Sequence, residues 1–421
     1  MEEFDCVTSA IDWINGARWK GQKNGLENSR ALLGALDNPQ NRMGKILHVA
    51  GTNGKGSVSA YLSSALIACG YNTGLFTSPY LRRFNERISL NALPIPDGEL
   101  VKIASKVRFA GEKLAREGIF CTTFELLTAI ACEYYAQNRT DFAVMEVGLG
   151  GRLDSTNVLP TSLSLIAAIG MDHMAILGDT EEKIAFEKAG IMKKNVPVAV
   201  MRASESVLEV FKSHAREVGA PYYECSPAVI NRLSVVGSEF ECRLPVSGRV
   251  RQKINIPGAH QALNAQLALT GLDLLGVDMP LAQRGIEAAA WPGRLDLRGN
   301  VLIDCAHNPQ GALTLKNYVD TFFEGRKKVL LTGMMQDKQI EACSQIFATF
   351  ADEIVCTSVD WPRAISPEAL KTVYGDKASA VEGVKNALKK AKTLAGDEGL
   401  VIAAGSVYLA GDVINLLESD K

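Results

Sequence analysis

The sequence predicts an α/β protein with a mostly parallel sheet covered by helices on both faces, a small antiparallel β subdomain, and a second, smaller α/β domain at the C-terminus. Apolar strands alternate with helical patterns from about residue 46 to 200, and this alternation resumes after residue 300. Between these regions, 222–256 consists of short alternating segments joined by a Gly-Ser turn, which is typical of antiparallel hairpins. A Trp-Pro-Gly-Arg break at 291–294 indicates a domain boundary.

The elements are predicted in order along the chain. The first region has predicted strands at 46–50, 142–147, 164–169 and 196–201, and predicted helices at 57–69, 97–117, 123–137 and 180–192. Pro257 and Gly258 end the hairpin set, and a helix is predicted from 260 to 275. The second region has predicted strands at 300–304, 328–332, 353–357 and 399–404, and predicted helices at 310–323, 338–350, 366–373 and 381–395. We therefore divide the chain into a nucleotide domain at 1–292, a linker at 293–299 and a smaller domain at 300–421.

Composition excludes several classes of protein. The 421 residues exceed one ordinary core, and 47% apolar with 22% charged residues is typical of a soluble globular enzyme. The net charge of -2 predicts no binding to nucleic acid or to a membrane surface. The start, MEEFDCVTSA, does not resemble a signal peptide, so we expect a cytoplasmic protein. The nine cysteines form no C-x-x-C pair and are interpreted as reduced packing residues.

The run GTNGKGS at 51–57 follows the first predicted strand and begins the first helix. Loop amides, a helix dipole, the Lys55 charge and the Ser57 hydroxyl together form a cradle for phosphate and magnesium. This predicts a P-loop-type sheet that binds a nucleoside triphosphate. The match to the usual pattern is imperfect, because Val49 stands where a glycine is usual and Gly56 separates the lysine from the hydroxyl. A glycine-rich turn without function is the alternative.

Two further strand ends carry candidate metal ligands. Glu146 ends the strand at 142–147, beside the phosphate loop, where an acidic residue is the usual second anchor for magnesium. Its alternative is an N-cap or a loop carboxylate. His173 leaves the strand at 164–169 on the same sheet edge, although a lone histidine is more often a surface or core residue. Because magnesium prefers oxygen ligands, His173 indicates a second metal position or tolerance of Mn2+.

Other polar residues stand at helix starts and strand ends. By pattern alone, Lys188 is a solvated lysine of an amphipathic helix. Asn264, near His260 and Gln261, either caps the helix at 260–275 or faces a ligand, and the pattern does not decide between these. Arg294 in the linker could reach a phosphate across a cleft between the domains.

The second domain has its own candidates at strand ends, where ligands of such sheets bind. Asp304, His307 and Asn308 follow the strand at 300–304. Ser406 follows the last strand, and its alternative is a turn serine. We expect both groups to face the same cleft as the phosphate loop.

Taken together, these motifs resemble the Mur ligase superfamily, and within it the folylpolyglutamate synthase/dihydrofolate synthase family. The resemblance spans nearly the whole chain in the family's order. It is carried by GTNGKGS at 51–57, FTSPYL at 76–81, ERI at 86–88, FE at 124–125, EVGLGGRLD at 146–154, DH at 172–173, EKAG at 187–190, PGR at 292–294, DCAHNP at 304–309 and GS at 405–406. The family has this form of the phosphate loop.

The resemblance implies an ATP-dependent ligase that adds L-glutamate to a folate-type carboxylate, either dihydropteroate or a reduced folate, through an acyl phosphate. It implies that the second domain is Rossmann-like and that the protein needs Mg2+, at two sites, with Mn2+ as a substitute. We expect a monomer. The ATP contacts would come from Thr52, Asn53, Gly54, Lys55, Gly56, Ser57, Asn264, Arg294 and Asp304.

The resemblance also assigns the remaining roles. Ser57 and Glu146 would hold one metal ion, and Glu146 with His173 a second. Lys55, Glu146, His173 and Lys188 would be the catalytic residues, with Lys188 carbamylated to N6-carboxylysine, contrary to its pattern-based interpretation. His307 and Ser406 would bind glutamate. The folate side would be formed by Ser78, Tyr80, Phe124, Arg152 and Asp154.

Two residues depart from the family pattern. Tyr80 replaces the usual histidine of Ser-Pro-His-Leu, and Cys305 replaces the usual glycine of Asp-Gly-Ala-His. Two other functions are weighed against folate ligation. One is a Mur-type ligase with a UDP-linked acceptor, which the segments at 146–152 and 304–309 disfavour. The other is a nucleotide-hydrolysing switch or binding module, which has no need of a second domain with cleft residues.

Overall fold

The computed structural model describes residues 3–17 and 25–419. Two helices come first, α1 (Val7–Gly16) and α2 (Glu27–Ala35). The main sheet contains β1 (Lys45–Ala50), β2 (Thr73–Phe76), β3 (Ile88–Leu90), β4 (Leu93–Pro94), β5 (Phe142–Glu146), β6 (Thr161–Ile166), β7 (Val198–Val200) and β8 (Tyr222–Glu224). Their order is β4-β3-β2-β5-β1-β6-β7-β8, and all neighbours are parallel except β2–β3 and β3–β4.

Helices cover both faces of this sheet. They are α3 (Lys55–Ala68), α4 (Asp97–Arg116), α5 (Thr123–Gln137), α6 (Met174–Leu177), α7 (Glu181–Ala189), α8 (Glu205–Val218), α9 (Ala259–Leu275) and α10 (Met279–Ala288). Alternation along β1 explains the layering, since Leu47 and Val49 join the apolar core with α3 and α9, whereas Ile46 joins the core with α4 and α5. A capping box between Thr122 and Glu125 fixes the start of α5.

The second sheet is small and antiparallel. It consists of β9 (Val229–Ser234), β10 (Gly237–Leu244) and β11 (Gly248–Ile254), in the order β11-β10-β9. Phe240, Cys242 and Leu244 of β10 point into the core that contains α9. The prediction of a hairpin set at 222–256 was wrong at its start, because β8 pairs in parallel with β7 and extends the main sheet.

The C-terminal region has a third sheet. Its strands are β12 (Asp296–Arg298), β13 (Val301–Ile303), β14 (Lys328–Thr332), β15 (Glu353–Cys356), β16 (Ala378–Ala380) and β17 (Leu400–Ala404), in the order β12-β13-β17-β14-β15-β16. All neighbours are parallel except β12 with β13. The covering helices are α11 (Pro309–Phe322), α12 (Ile340–Ala348), α13 (Pro367–Tyr374), α14 (Val384–Ala395) and α15 (Val407–Ser419).

The predicted architecture is confirmed: a mostly parallel sheet with helices, a small antiparallel sheet and a second α/β domain. The exact domain boundaries stay a prediction, and β12 lies inside the segment predicted as a linker. Short elements such as β2, β3 and β4 were not predicted, because two to four residues carry too little periodicity. Within the described residues, no helix combines the length and apolarity needed to cross a bilayer.

Candidate active site

A cavity of about 520 Å³ lies where the carboxyl ends of the main and C-terminal sheets face each other. The phosphate loop, the end of β5, the start of α9 and the loops after β13 and β17 line it. The structure therefore gathers residues that are far apart in sequence into one site. Of the predicted site residues, the cavity is lined by Thr52, Asn53, Gly54, Lys55, Gly56, Ser57, Ser78, Glu146, His173, Lys188, Asn264, Arg294, Asp304, His307 and Ser406.

The phosphate loop closes around its own lysine. Gly54 has φ of +87°, and a Cβ there would lie 2.3 Å from Oδ1 of Asn264, so only glycine fits. Lys55 is the first residue of α3, and its Nζ donates to the carbonyls of Gly51 and Thr52, both at 3.1 Å. Burial lowers the pKa of Lys55, which nearby carboxylates oppose. The ammonium is thus held at the loop where a phosphate would replace carbonyl partners.

The start of α9 contacts the phosphate loop directly. Asn264 Nδ2 donates to Gln261 Oε1 at 3.1 Å, and Gln261 Nε2 donates to the Ser57 hydroxyl at 3.1 Å. All three side chains are buried. Since α9 has no side-chain cap hydrogen bond, Asn264 does not act as its cap. Instead, it lies in the cavity against the backbone of the phosphate loop.

Glu146 is a buried carboxylate at the end of β5. Its Oε2 accepts a hydrogen bond from the Ser78 amide at 3.0 Å. Burial raises the pKa of Glu146, while the Lys55 charge and the Ser78 amide oppose this shift. The carboxylate faces the cavity beside the phosphate loop, which is the arrangement that a metal anchor requires.

Lys188 on α7 is buried, unlike the solvated helix lysine that its sequence pattern indicates. Its Nζ donates to the carbonyl of Gly51 at 2.9 Å. Burial and the neighbouring Lys55 charge lower the pKa of Lys188 to about 7. A large share of this amine is therefore uncharged near neutral pH, which gives it nucleophilic character.

Asp172 and its neighbours join the two sheets. Lys338 Nζ donates to both carboxylate oxygens of Asp172, at 3.0 and 3.2 Å, and lies 3.3 Å from His173 Nε2. Asn308 Nδ2 donates to Asp172 Oδ2 at 3.3 Å, and His307 Nε2 lies 3.7 Å from the same oxygen. Burial opposes ionisation of Asp172, but His307 and Lys338 hold its pKa well below the usual range.

His173 occupies the left-handed region with φ of 51°, at the start of α6. Burial and the Lys338 charge lower its pKa to about 4. The imidazole is therefore neutral at physiological pH, which is the form that binds metal ions. Among the described residues, no group of three or more His, Cys, Asp and Glu side chains is arranged to hold a metal ion.

Magnesium nevertheless has suitable donors in this cavity. The Ser57 hydroxyl and the Glu146 carboxylate both line it and offer the oxygen atoms that Mg2+ prefers. Magnesium sites characteristically use one or two protein oxygens, with waters and phosphate oxygens completing the shell. The residues present therefore fit a magnesium ion that is shared with a nucleotide.

The C-terminal part of the cavity is organised by Asp304. Its two oxygens accept hydrogen bonds from the backbone amides of Leu295 and Ala306, each at 2.9 Å. Burial raises the pKa of Asp304, and the charge of Arg294 opposes this shift. The Arg294 guanidinium donates to the carbonyl of Gly293 at 3.1 Å. This carboxylate and this guanidinium both line the cavity and can form hydrogen bonds with polar groups of a ligand.

His307 and Ser406 complete that side. His307 Nδ1 lies 2.8 Å from the carbonyl of Cys305, so Nδ1 carries the donated proton. The Ser406 hydroxyl accepts from the amide of Tyr408 at 3.1 Å, just before α15. Ser406 therefore both stabilises the turn before α15 and lines the cavity.

The residues predicted for the folate side are not gathered in one cavity. Phe124 packs on Phe76 with ring centroids 5.6 Å apart. Arg152 forms an ion pair with Glu187 at 2.8 Å. Asp154 accepts hydrogen bonds from the amides at 148 and 149, at 3.1 and 3.0 Å, and so organises the glycine loop. Their contact with a folate stays a prediction.

Tyr80 lines a second cavity of about 510 Å³, which has mostly apolar walls and includes Trp291. Its ring also makes an edge contact with Tyr408, with centroids 6.4 Å apart, and so links the two α/β regions. The other departure, Cys305, is buried, and a Cβ on Gly293 would lie 3.1 Å from its sulfur. The backbone thus accommodates this side chain while Asp304 and His307 both reach the main cavity.

Sequence reasoning missed Lys338. It lies in the loop that follows β14, at the same sheet edge as the other site residues. The rule that ligands bind at the carboxyl ends of parallel strands (the strand-end rule) could have found Lys338. However, a lysine in the run GMMQDK carries no distinctive spacing.

Comparison with known proteins agrees with this geometry. The profile of the Mur ligase middle domain matches residues 103–271, and that of the Mur ligase glutamate ligase domain matches residues 293–407. The fold and the site therefore define a Mur ligase.

Individual relatives narrow the assignment. The dihydrofolate synthase/folylpolyglutamate synthase of Bacillus subtilis is 33% identical over 97% of this chain and 99% of its own length. The solved structure of E. coli FolC in complex with DHPP and ADP has a TM-score of 0.89, with 26% identity over 99% of this chain and 98% of that chain. Mycobacterium tuberculosis folylpolyglutamate synthase complexed with ADP has a TM-score of 0.91, with 29% identity over 98% of both chains. The chain belongs to the folylpolyglutamate synthase/dihydrofolate synthase family.

Proposed function

We propose that this chain is an ATP-dependent ligase that joins L-glutamate to a folate-type carboxylate and releases ADP and phosphate. The observation that carries the proposal is the single cavity in which the phosphate loop meets Asp304, His307 and Ser406 of the other domain. The relatives named for folylpolyglutamate or dihydrofolate synthesis, and the solved complexes with ADP, support it.

The phosphate loop side would activate the acceptor. Its carboxylate takes the γ-phosphoryl group of ATP and becomes an acyl phosphate, while Lys55 and the loop amides hold the phosphate oxygens. Ser57 and Glu146 would hold Mg2+, with His173 beside a second ion, and the metal neutralises charge on the phosphates when bound. Catalysis of this kind depends mainly on positioning and charge stabilisation.

Lys188 would act in a carbamylated form. A lysine amine reacts with CO2 only when uncharged, and the pKa of about 7 makes the uncharged form accessible. The product, N6-carboxylysine, would place a carboxylate beside the phosphate loop, where Lys188 contacts Gly51. This converts a second cation next to Lys55 into an anion that suits a metal-binding site.

The other side of the cavity would bind the remaining substrates. Asn264, Arg294 and Asp304 would contact ATP, and His307 and Ser406 would bind L-glutamate. The amine of glutamate then attacks the acyl phosphate, and phosphate leaves from the tetrahedral intermediate. Because these residues come from both domains, domain closure would assemble the site.

The acceptor is dihydropteroate, a reduced folate, or both. Mass spectrometry of the products formed from ATP, L-glutamate and each acceptor tests this directly. We expect a mass increase of one glutamyl residue on at least one acceptor. If no product forms with either acceptor, folate ligation is contradicted. UDP-linked acceptors would then be tested. We also propose that the protein is a cytoplasmic monomer that binds neither nucleic acid nor membranes.

A further inference from the structure

Arg87 carries a buried guanidinium nitrogen that the described residues leave without a hydrogen-bond partner. It ends the short 3-10 turn Phe84–Arg87 that precedes β3, and its side chain is half-buried. Its Nε is shielded from solvent and has no hydrogen-bond partner. Within the described ranges, no carboxylate lies within ion-pair distance of it. A shielded guanidinium nitrogen without a hydrogen-bond partner is unfavourable, so we expect Arg87 to bind an anion that the protein itself does not supply.

The surroundings of Arg87 fix its orientation. The guanidinium carbon lies 5.0 Å from the centroid of the Tyr80 ring and 5.6 Å from that of Phe84, which are cation–π contacts. Its carbonyl accepts from the amide of Thr77 at 3.0 Å. The residue after Thr77, Ser78, donates its amide to Glu146. Arg87 is thus tied by two backbone segments to the carboxylate beside the phosphate loop.

The segment around Arg87 borders the second cavity, which Thr77, Tyr80 and Glu86 line. Burial lowers the pKa of Arg87, and the groups that oppose this shift are Tyr408, Tyr80 and Glu146. Tyr408 and Glu146 line the main cavity, and Tyr80 lines the second one. The two cavities adjoin, since Pro79, Arg294 and Val407 line both. Arg87 itself lines neither cavity, but a ligand extending from the phosphate loop into the second cavity would meet the wall formed by its neighbours Tyr80 and Glu86.

We propose that Arg87 is a specificity residue that binds the non-reacting carboxylate of the acceptor's terminal glutamate. This proposal rests on the proposed function, in which a folate carboxylate is activated near Glu146. The terminal glutamate of a folate carries two carboxylates, and only one of them reacts. The other is an anion a few bonds away, which matches a guanidinium that can bind it through two parallel hydrogen bonds. Dihydropteroate has a single carboxylate, which is the one that reacts. It therefore has no second carboxylate for Arg87 to bind.

The test compares acceptors that differ only at the non-reacting carboxylate. The wild-type chain is assayed with tetrahydrofolate and with its analogue in which that carboxylate is a carboxamide. Loss of a charge-assisted hydrogen bond predicts a preference for the acid of about 10- to 100-fold in kcat/KM, expressed mainly in KM. Arg87→Met should abolish this preference and leave kcat/KM for dihydropteroate within about threefold of wild type. Arg87→Lys should keep part of the preference.

Arg83→Met is the matched control. Arg83 lies four residues away on the same segment, with 71% of its side chain exposed, and pairs only loosely with Asp97 at 3.5 Å. This variant should retain the full preference for the acid.

Three results would overturn the proposal. One is a wild-type chain that uses acid and carboxamide equally well, which needs no variant to interpret. Another is an Arg87→Met chain that loses activity equally with all acceptors, which would mean that Arg87 only supports the 76–88 segment. The third is a wild type that is inactive with a folate and also with dihydropteroate. This result would overturn the proposed function together with this assignment, and it is distinguishable from the first two.

Discussion

Lys338 Nζ lies 3.0 and 3.2 Å from the two carboxylate oxygens of Asp172, and this pair connects the loop after β14 with the loop after β6. Only 10% and 11% of the two side chains are exposed. It is therefore a largely desolvated ion pair between the two α/β regions, and it holds the cavity wall closed next to His173.

Lys338→Met should leave the Asp172 charge without its main partner. Removing one member of a buried pair costs about 3 kcal/mol, so we expect the free energy of unfolding to fall by about that amount at neutral pH. The Lys338→Met/Asp172→Asn double variant should recover part of the loss, since it removes the unpaired charge. Chemical denaturation measures both.

The control for this prediction is Lys327→Met. Lys327 pairs with Glu353 at 2.6 Å, but 45% of its side chain is exposed, so the loss should stay within about 0.5 kcal/mol. Equal losses for Lys338→Met and Lys327→Met would show that the Asp172 pair does not stabilise the closed arrangement.

Lys55→Ala and Glu146→Ala should each abolish glutamate addition, because they remove the proposed phosphate-binding cation and the proposed metal-binding carboxylate. We expect losses of at least about a thousandfold in kcat. Glu146→Gln keeps the shape and an oxygen for the Ser78 amide, yet should be almost as inactive. Lys183→Ala, on the same helix as Lys188 but with a 63% exposed side chain, should retain activity. Substantial turnover by the Lys55 or Glu146 variants would contradict the phosphate and metal assignments.

Metal removal gives a related result. A chelator should stop product formation, and Mg2+ or Mn2+ should restore it, because the oxygen donors that we propose for the metal, on Ser57 and Glu146, suit either ion. Isothermal titration of Mg2+ in the presence of ADP should show binding to the wild type and much weaker binding to Glu146→Gln. Equal binding to both would place the ion elsewhere.

Lys188 makes the chain sensitive to pH. With a pKa of about 7, the amine is mostly protonated one unit below that pH and mostly neutral one unit above it. Only the neutral amine reacts with CO2, so carbamylation should rise as pH increases through about 7. NMR with isotope-labelled bicarbonate should detect the carbamate, and Lys188→Arg should lack it. A signal that is unchanged in Lys188→Arg would assign the carbamate to another lysine.

His307→Ala should raise the KM for glutamate more than the KM for ATP. The imidazole is on the C-terminal wall of the cavity, 3.7 Å from Asp172. Steady-state kinetics with each substrate varied in turn measures this, and His214→Ala, outside the cavity on α8, is the control. Equal effects on both KM values would show that His307 is not specific to the glutamate side.

Long apolar runs made the central architecture predictable from sequence. The strands β1, β5 and β17 are buried along nearly their whole length, so each appears as a continuous apolar run before a polar loop. The strand-end rule then located Glu146 and Asp304 correctly at the cavity. By contrast, β8 has only the three half-buried residues Tyr222–Glu224, which carry no clear pattern, and only its pairing with β7 reveals its place.

The contacts across the cavity were not predictable in the same way. Burial of Lys188 depends on how α7 packs behind the phosphate loop, which helix periodicity does not specify. The Lys338 pair requires two loops to meet although Asp172 and Lys338 are 166 residues apart in sequence. Arg87 appears in the sequence only within the ERI segment at 86–88, because the missing hydrogen-bond partner of its Nε is visible only in three dimensions.

The most direct test of the proposed ligase activity is the stoichiometry of phosphate release. ATP hydrolysis should require L-glutamate and a folate-type acceptor together, and one phosphate should be released for each amide bond formed. This result is expected because both domains contribute to the cavity, so that the amine of glutamate meets the acyl phosphate only there. Release of phosphate at the same rate without glutamate and without the acceptor would contradict the ligase and would indicate a nucleotide-hydrolysing switch instead.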